Sequence, residues 1–311
     1  QLLFNPNVNN NAFDSNSFKL VKANIEQVIK TTVENPNRYS RIRLLEEMSP
    51  NKPFTYHADG YLEDLETINE TNLYQYYLDT IKSDIIDIFV CGDVDLDATK
   101  KIISKYFKIN TIKKPSVSHF IIHNKTRGRT KVIKEAKDIS QSQLLMGYKL
   151  MNLTDFERNY VLPLYSHILG GSADSKLFKN VREKHSLCYT IHSNIMQVSN
   201  IMFISAGIDK DNYKKALSLI KKEVLDMHYG NFSENDLDNA KLAYINAAKE
   251  LMDSPTNIIN SHVTIEYLSS DPIEERVKKI KTVTRDMIIK LSSKIFADTV
   301  YLLEGVNNER A

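Results

Sequence analysis

Cysteine is scarce in this 311-residue chain: Cys91 and Cys188 are the only two, and they form no C-x-x-C pair. Both stand inside apolar, strand-like runs, so a disulfide is not expected and a reduced, cytoplasmic compartment is. Long apolar runs are missing too. None approaches the roughly 20 residues that cross a bilayer, and no membrane partner is expected. Charge of one sign is not in excess: 41 Lys and Arg against 39 Asp and Glu leave a net +2. That balance gives no reason to expect nucleic acid or an anionic membrane as a general partner. No long-period repeat, low-complexity tract or signal-peptide pattern shows, although the chain begins at Gln1 rather than at a methionine.

What is present is the composition of a globular protein, 42% hydrophobic and 26% charged residues, at a length that holds two domains or one and a fraction. The run from Asn5 to Asn16 reads as an asparagine-rich loop too polar to pack. Apolar residues at Val21, Ile25, Val28, Ile29 and Val33 then follow helical spacing over 18–33, and Asn35-Pro36-Asn37 stops that helix. Further helices are predicted over 38–48, 70–82 (with an aromatic face of Tyr74 and Tyr77) and 97–107. Ile85 to Cys91 is the one strand expected in this third. A single strand cannot satisfy its own ladder groups, so residues 1–108 read as the C-terminal half of an α+β domain whose other strands precede Gln1.

Residues 109–118 read as a polar linker and 119–311 as a complete α+β domain. Strands are predicted at 119–123, 131–136, 143–150, 187–196, 200–207 and 300–303. Helices are predicted at 156–169, 175–183 and 211–229, followed by one with a Ser233–Asp236 capping box and by three more begun at Ser254-Pro255, Asp271-Pro272 and Thr284. This order predicts helices layered on a mainly antiparallel sheet.

The densest stretch is Gly170 to Tyr189, GGSADSKLFKNVREKHSLCY. Its pattern G-G-x-x-x-S-x-L-F-x-x-x-R-E-K-x-x-L-x-Y resembles the second-domain signature of the pitrilysin/insulinase-like zinc peptidases, which include the mitochondrial processing peptidases. The segment from Pro53 to Asp95 is similar to the closing half of the first domain in that family. The resemblance implies a processing-peptidase-like fold, one complete copy and one partial, and a peptide or unfolded polypeptide as ligand. It further implies that Arg182 and Tyr189 reach a substrate backbone, with Gly170 and Gly171 in the glycine-rich turn beside them. A guanidinium offers fixed donors to peptide carbonyls and a phenol donates without bringing full charge. The bland alternative is an arginine paired with a carboxylate such as Glu183 and a tyrosine in a sheet.

The family's catalytic motif, H-x-x-E-H on a helix, places two imidazoles on one zinc with a glutamate to activate water. It does not occur in these residues. The nearest match is His119-Phe120-Ile121-Ile122-His123, which has isoleucine in the glutamate position and a strand-like pattern. The family's downstream glutamate ligand aligns with Val28, followed by the apolar Ile29; a one-turn slip brings in Glu26 instead. A valine does not bind zinc. The expectation is therefore no metal in this chain, with zinc held by a homologous subunit. Asp87-Ile88-Phe89 and Gly92-Asp93-Val94-Asp95 most resemble the family's non-catalytic bacterial paralogues.

Two other motifs are weaker. His185 and Cys188 invite a nucleophile reading, but Cys188 has no orienting partner and reads as a structural thiol. Arg127, Arg129, Lys131, Lys134 and Lys137 make a basic hairpin candidate that reads as a solvated face. Three functions stay open. One is a peptide-binding, non-catalytic partner of a zinc-bearing homologue, or a homodimer. Another is an active peptidase whose motif lies upstream of Gln1, and the third is a scaffold without a peptide channel.

Overall fold

The computed structural model describes residues 3–107 and 121–306. The chain separates into two compact units, Gln1–Asn35 with Tyr56–Pro115 and Pro36–Thr55 with Ser116–Ala311. The expected linker 109–118 lies outside the described residues.

The first unit opens with a hairpin of two-residue strands, β1 (Val8–Asn9) and β2 (Ala12–Phe13). The asparagine run expected to be a featureless loop contains it. Asn10 and Asn11 both take positive φ, 49° and 59°, as a type I′ turn demands, and asparagine tolerates that region better than most residues. Phe13 then packs edge-on against Tyr74 and Tyr77. Helix α1 (Ser15–Glu34) is capped by Asp14, whose carboxylate accepts from the Ser17 amide at 2.9 Å. The next helix, α2 (Pro36–Met48), is counted with the second unit. Helices α3 (Leu62–Thr67), α4 (Glu70–Ser83) and α5 (Leu96–Tyr106) complete the first unit. Asn69 and Asn72 form a reciprocal capping box on α4, and Asp95 caps α5.

Residues 85–91 do not form the expected strand. They carry no regular secondary structure and belong to neither described sheet. The helix expected over 18–33 forms within α1, and of its periodic residues Val21, Ile25, Val28 and Val33 are exposed and Ile29 is buried. Beyond the β1–β2 hairpin, no sheet is described in this unit for them to cover.

The second unit is built on a five-stranded sheet. It begins with β3 (Lys131–Lys137) and β4 (Ser142–Leu150), followed by a π-helical turn at Glu157–Val161 that runs into α6 (Leu162–Gly170). A second π-helical turn at Phe178–Glu183 precedes β5 (Cys188–Met196) and β6 (Ile201–Ile208). Helices α7 (Tyr213–His228), α8 (Glu234–Glu250), α9 (Pro255–Leu268), α10 (Ile273–Lys281) and α11 (Arg285–Ser292) lead to β7 (Ile295–Gly305). Spatial order is β3-β7-β4-β6-β5, antiparallel throughout except where β3 runs parallel to β7. The expected α+β class, helices on a mainly antiparallel sheet, is the one observed. The predicted capping box forms as read: Ser233 accepts from the Asp236 amide while Asp236 accepts from Ser233.

All nine residues of β4 are buried because both faces of the sheet are covered. Leu144, Met146, Tyr148 and Leu150 join Ile204, Ile208, Ile220 and Leu237 in the larger core under the helical layer. On the other face, Leu145, Phe203, Tyr301 and Leu303 pack with Leu44, Leu45 and Met48 of α2. Gly147 permits that approach, since a Cβ there would overlap Met48 Sδ. Polar clamps secure the same helix. Glu135 accepts hydrogen bonds from the Tyr39 and Tyr301 phenols and sits 3.4 Å from Arg43 Nε, and the buried Asp298 is shared by Arg127 and Lys149, each at 3.1 Å.

Two further expectations meet a different outcome. Of 119–123, residues 121–123 are described and are not in a strand; the Ile122 amide bonds to the Val198 carbonyl at 2.9 Å. The basic segment is no hairpin, because β3 pairs with the distant β7. Four of its five cations are engaged within the protein: Arg127 pairs with Asp298, Lys131 pairs with Glu47, Lys134 lies over the Tyr213 ring and Lys137 over the Tyr39 ring.

Candidate functional site

The Gly170–Tyr189 corner is assembled by α6, the π-helical turn and the start of β5. Gly170 ends α6 and is buried. A Cβ placed on it would lie 2.7 Å from the Ser193 amide nitrogen and 2.9 Å from Leu177 Cδ1. The close approach this glycine allows is thus helix against strand inside the protein, reinforced by a 2.8 Å hydrogen bond between Ser166 and Ser193 hydroxyls. Gly171 is exposed, and a Cβ there would come 2.6 Å from His167 Cα. Both glycines have a packing reason within the fold.

The next segment buries Leu177 and Val181 completely, which anchors the turn carrying Arg182. Its hydrogen bonds are wide: the Lys184 amide reaches the Lys179 carbonyl at 3.0 Å, five residues back. Ser186 takes a left-handed φ of 49° and ends the turn. The closing bonds, Ser186 amide to Arg182 carbonyl and Leu187 amide to Val181 carbonyl, are each one residue wider than in an ordinary Schellman ending. A π-helical turn inserts one extra residue and so rotates the residues downstream of it, a device common at functional sites.

Arg182 is exposed, its guanidinium 4.5 Å from the centre of the Phe178 ring. Among the described residues it has no carboxylate partner, and the ion pair with Glu183 does not form. Tyr189 is 57% exposed. It sits where the β5–β6 register shifts, with Cys188 opposite Ile208 and Thr190 opposite Gly207, and a bulge of this kind re-aims the side chain it carries. The phenol donates to Asp209 at 3.2 Å, and that hydrogen bond raises its pKa. The corner therefore presents a free guanidinium and a lightly tethered phenol on either side of one tight turn.

Cys188 between them is buried. Burial pushes its thiol up to about 11 against the opposing pull of Arg182, and a protonated thiol does not attack. His185 is exposed on the same turn. No group of three or more His, Cys, Asp or Glu side chains able to hold a metal occurs among the described residues; His119 lies outside them. Val28 is exposed beside the buried Ile29, and Glu26 is engaged with Lys30 at 2.5 Å. No described helix is long and apolar enough to cross a membrane.

One set of side chains escaped the sequence reading. Thr190, His192 and Asn194 alternate along β5 on the face that carries α2, and with Arg41 and the apolar Leu145 and Phe203 they line a groove. The alternation was visible, but which helix stands over it was not.

Residues 67–244 match the family described as the peptidase M16 inactive domain. The chain is 31% identical over 309 residues to "Probable inactive metalloprotease YmfF" of Bacillus subtilis, covering 98% of this chain and 71% of that protein. It is 23% identical over 290 residues to "Uncharacterized zinc protease YmxG" of the same organism, covering 92% and 69%. Among solved structures, a conserved protein from Enterococcus faecalis V583 superposes with a TM-score of 0.90 at 23% identity, covering all of this chain and 73% of the other.

Proposed function

This chain belongs to the peptidase M16 family as a relative of its inactive members, and we propose that it is the peptide-holding, non-catalytic half of a two-part chamber. A zinc-bearing homologous subunit supplies the hydrolytic half. Arg182 and Tyr189 hold the backbone of an extended peptide, the first through its fixed fork of donors and the second through a single neutral hydrogen bond. The observation that carries this reading is the state of Arg182: exposed, stacked on Phe178 and free of any carboxylate among the described residues. A structural arginine would be paired. Gly170 shapes the corner by letting α6 lie on β5, and Gly171 ends the helix beside it.

The test combines this protein with a zinc-bearing M16 homologue of the same organism. A stable complex by size-exclusion chromatography, and an Arg182→Ala variant that assembles normally yet lowers cleavage of an unfolded polypeptide tenfold or more, are the expected results. Absence of association together with unchanged cleavage overturns the reading. One equivalent of zinc bound to the full-length protein would favour an active peptidase in its place.

A further inference from the structure

Helix α2 covers only part of its face of the sheet. Leu44, Leu45 and Met48 seal the side toward β4 and β7. Toward β5 the apolar cover ends and a groove of about 350 Å³ opens. Its floor is the pleat of three strands: Thr190, His192 and Asn194 from the edge strand β5, Ser205 from β6 directly opposite His192, and Gln143 from β4. Its wall is the first turns of α2, where Asn37 and Arg41 stand one turn apart.

The charge in this groove is one-sided. One guanidinium and one imidazole line it, with amides, hydroxyls and the apolar Leu145 and Phe203 between them and no carboxylate among the lining residues. Arg41 is exposed and has no carboxylate partner among the described residues, whereas Arg43, on another side of the same helix, pairs with Glu46, Glu47 and Glu135. The first turn of a helix also carries the positive end of its dipole. A planar fork of donors, a second ring donor and neighbouring amides suit a planar anion held bidentately. The volume admits one or two residues of a peptide and not a folded domain. The groove lies along an edge strand, a natural rail for an extended peptide. With one permanent cation, it is matched to a single negative charge and not to a polyphosphate.

We propose that this groove is a binding site for a carboxylate-bearing peptide segment, held by Arg41 and His192 with Asn194 and Gln143 as neutral donors. The carboxylate belongs either to the C-terminal end of a polypeptide or to an aspartate or glutamate side group. The site uses neither Arg182 nor Tyr189, so it stands or falls apart from the reading above.

Three fluorescein-labelled peptides of one extended sequence test it by anisotropy with the full-length protein. The first has a free C-terminus and no acidic side chain, the second is amidated with a central glutamate, and the third is amidated with glutamine at that position. The neutral peptide is expected to bind about tenfold more weakly than at least one of the others, the difference a charge-assisted hydrogen bond supports; the favoured arm identifies the source of the carboxylate. Arg41→Gln abolishes the preference and His192→Gln reduces it. A thermal melt confirms that the Arg41→Gln protein is folded. Equal binding of all three peptides, binding of none, or a preference that survives Arg41→Gln overturns the proposal.

Discussion

Gly170 and Ser193 meet across the α6–β5 contact so closely that a methyl group on the glycine would sit 2.7 Å from the Ser193 amide nitrogen. Backbone does not swing aside as the tip of a flexible residue does. Gly170→Ala is expected to destabilise the protein by about 1–3 kcal/mol, the usual cost of overpacking, read as a lower denaturation midpoint in urea. A variant as stable as the parent would mean that the helix can lift off the strand at little cost.

The second core should depend on α2. Leu44 is fully buried against the sheet. Leu44→Ala is expected to cost about 2–5 kcal/mol, and equilibrium unfolding measures it. Exposed Leu20 of α1, by contrast, should tolerate alanine within about 0.5 kcal/mol.

Acid should loosen the same helix. Burial alone would raise the Glu135 carboxyl, but hydrogen bonds from Tyr39 and Tyr301 and the charge of Arg43 outweigh it and leave its pKa below the usual 4.5. A carboxyl depressed in the folded state contributes stability above its unfolded pKa and loses it as pH falls through the folded one. Melting temperature should therefore drop as pH is lowered from about 4.5, and Glu135→Gln should flatten that drop. Parallel curves for the two proteins would assign the acid sensitivity elsewhere.

The two cysteines should differ sharply toward a thiol reagent. Cys91 is exposed, while Cys188 is buried with its thiol held up to about 11. At neutral pH one thiol per native molecule should react promptly, and the second only on denaturation. Two fast equivalents in the native protein would contradict the burial of Cys188.

Arg182 and Tyr189 should be dispensable for stability. Arg182→Ala and Tyr189→Phe remove exposed groups, so unfolding free energies should stay within about 0.5 kcal/mol of the parent. A larger loss would recast the pair as structural and weaken the case for peptide contact.

Local physics was legible in the sequence wherever neighbouring residues decide the outcome. The Ser233–Asp236 box, the helix stop at Asn35-Pro36, the apolar runs of β4 and β6 and the Gly170–Tyr189 signature all depend on residues a few positions apart. Each was readable, and the signature carried the family with it. The Asn10–Asn11 hairpin has a local cause as well, the turn chemistry of an asparagine pair, but the polarity of the surrounding run masks it.

Tertiary structure alone decided what distant residues do to one another. No spacing rule says that α2 shares a core with strands about a hundred residues later, because its apolar side carries no label of the face it will meet. Residues 85–91 look like a strand by pattern, yet they belong to neither described sheet. Arg41 and His192 lie far apart in sequence and line one groove only because α2 lies across the sheet. The Gly170–Tyr189 corner was recognisable from its residues; whether its arginine stood free or paired was a matter of geometry, since a carboxylate anywhere in the fold could have claimed it.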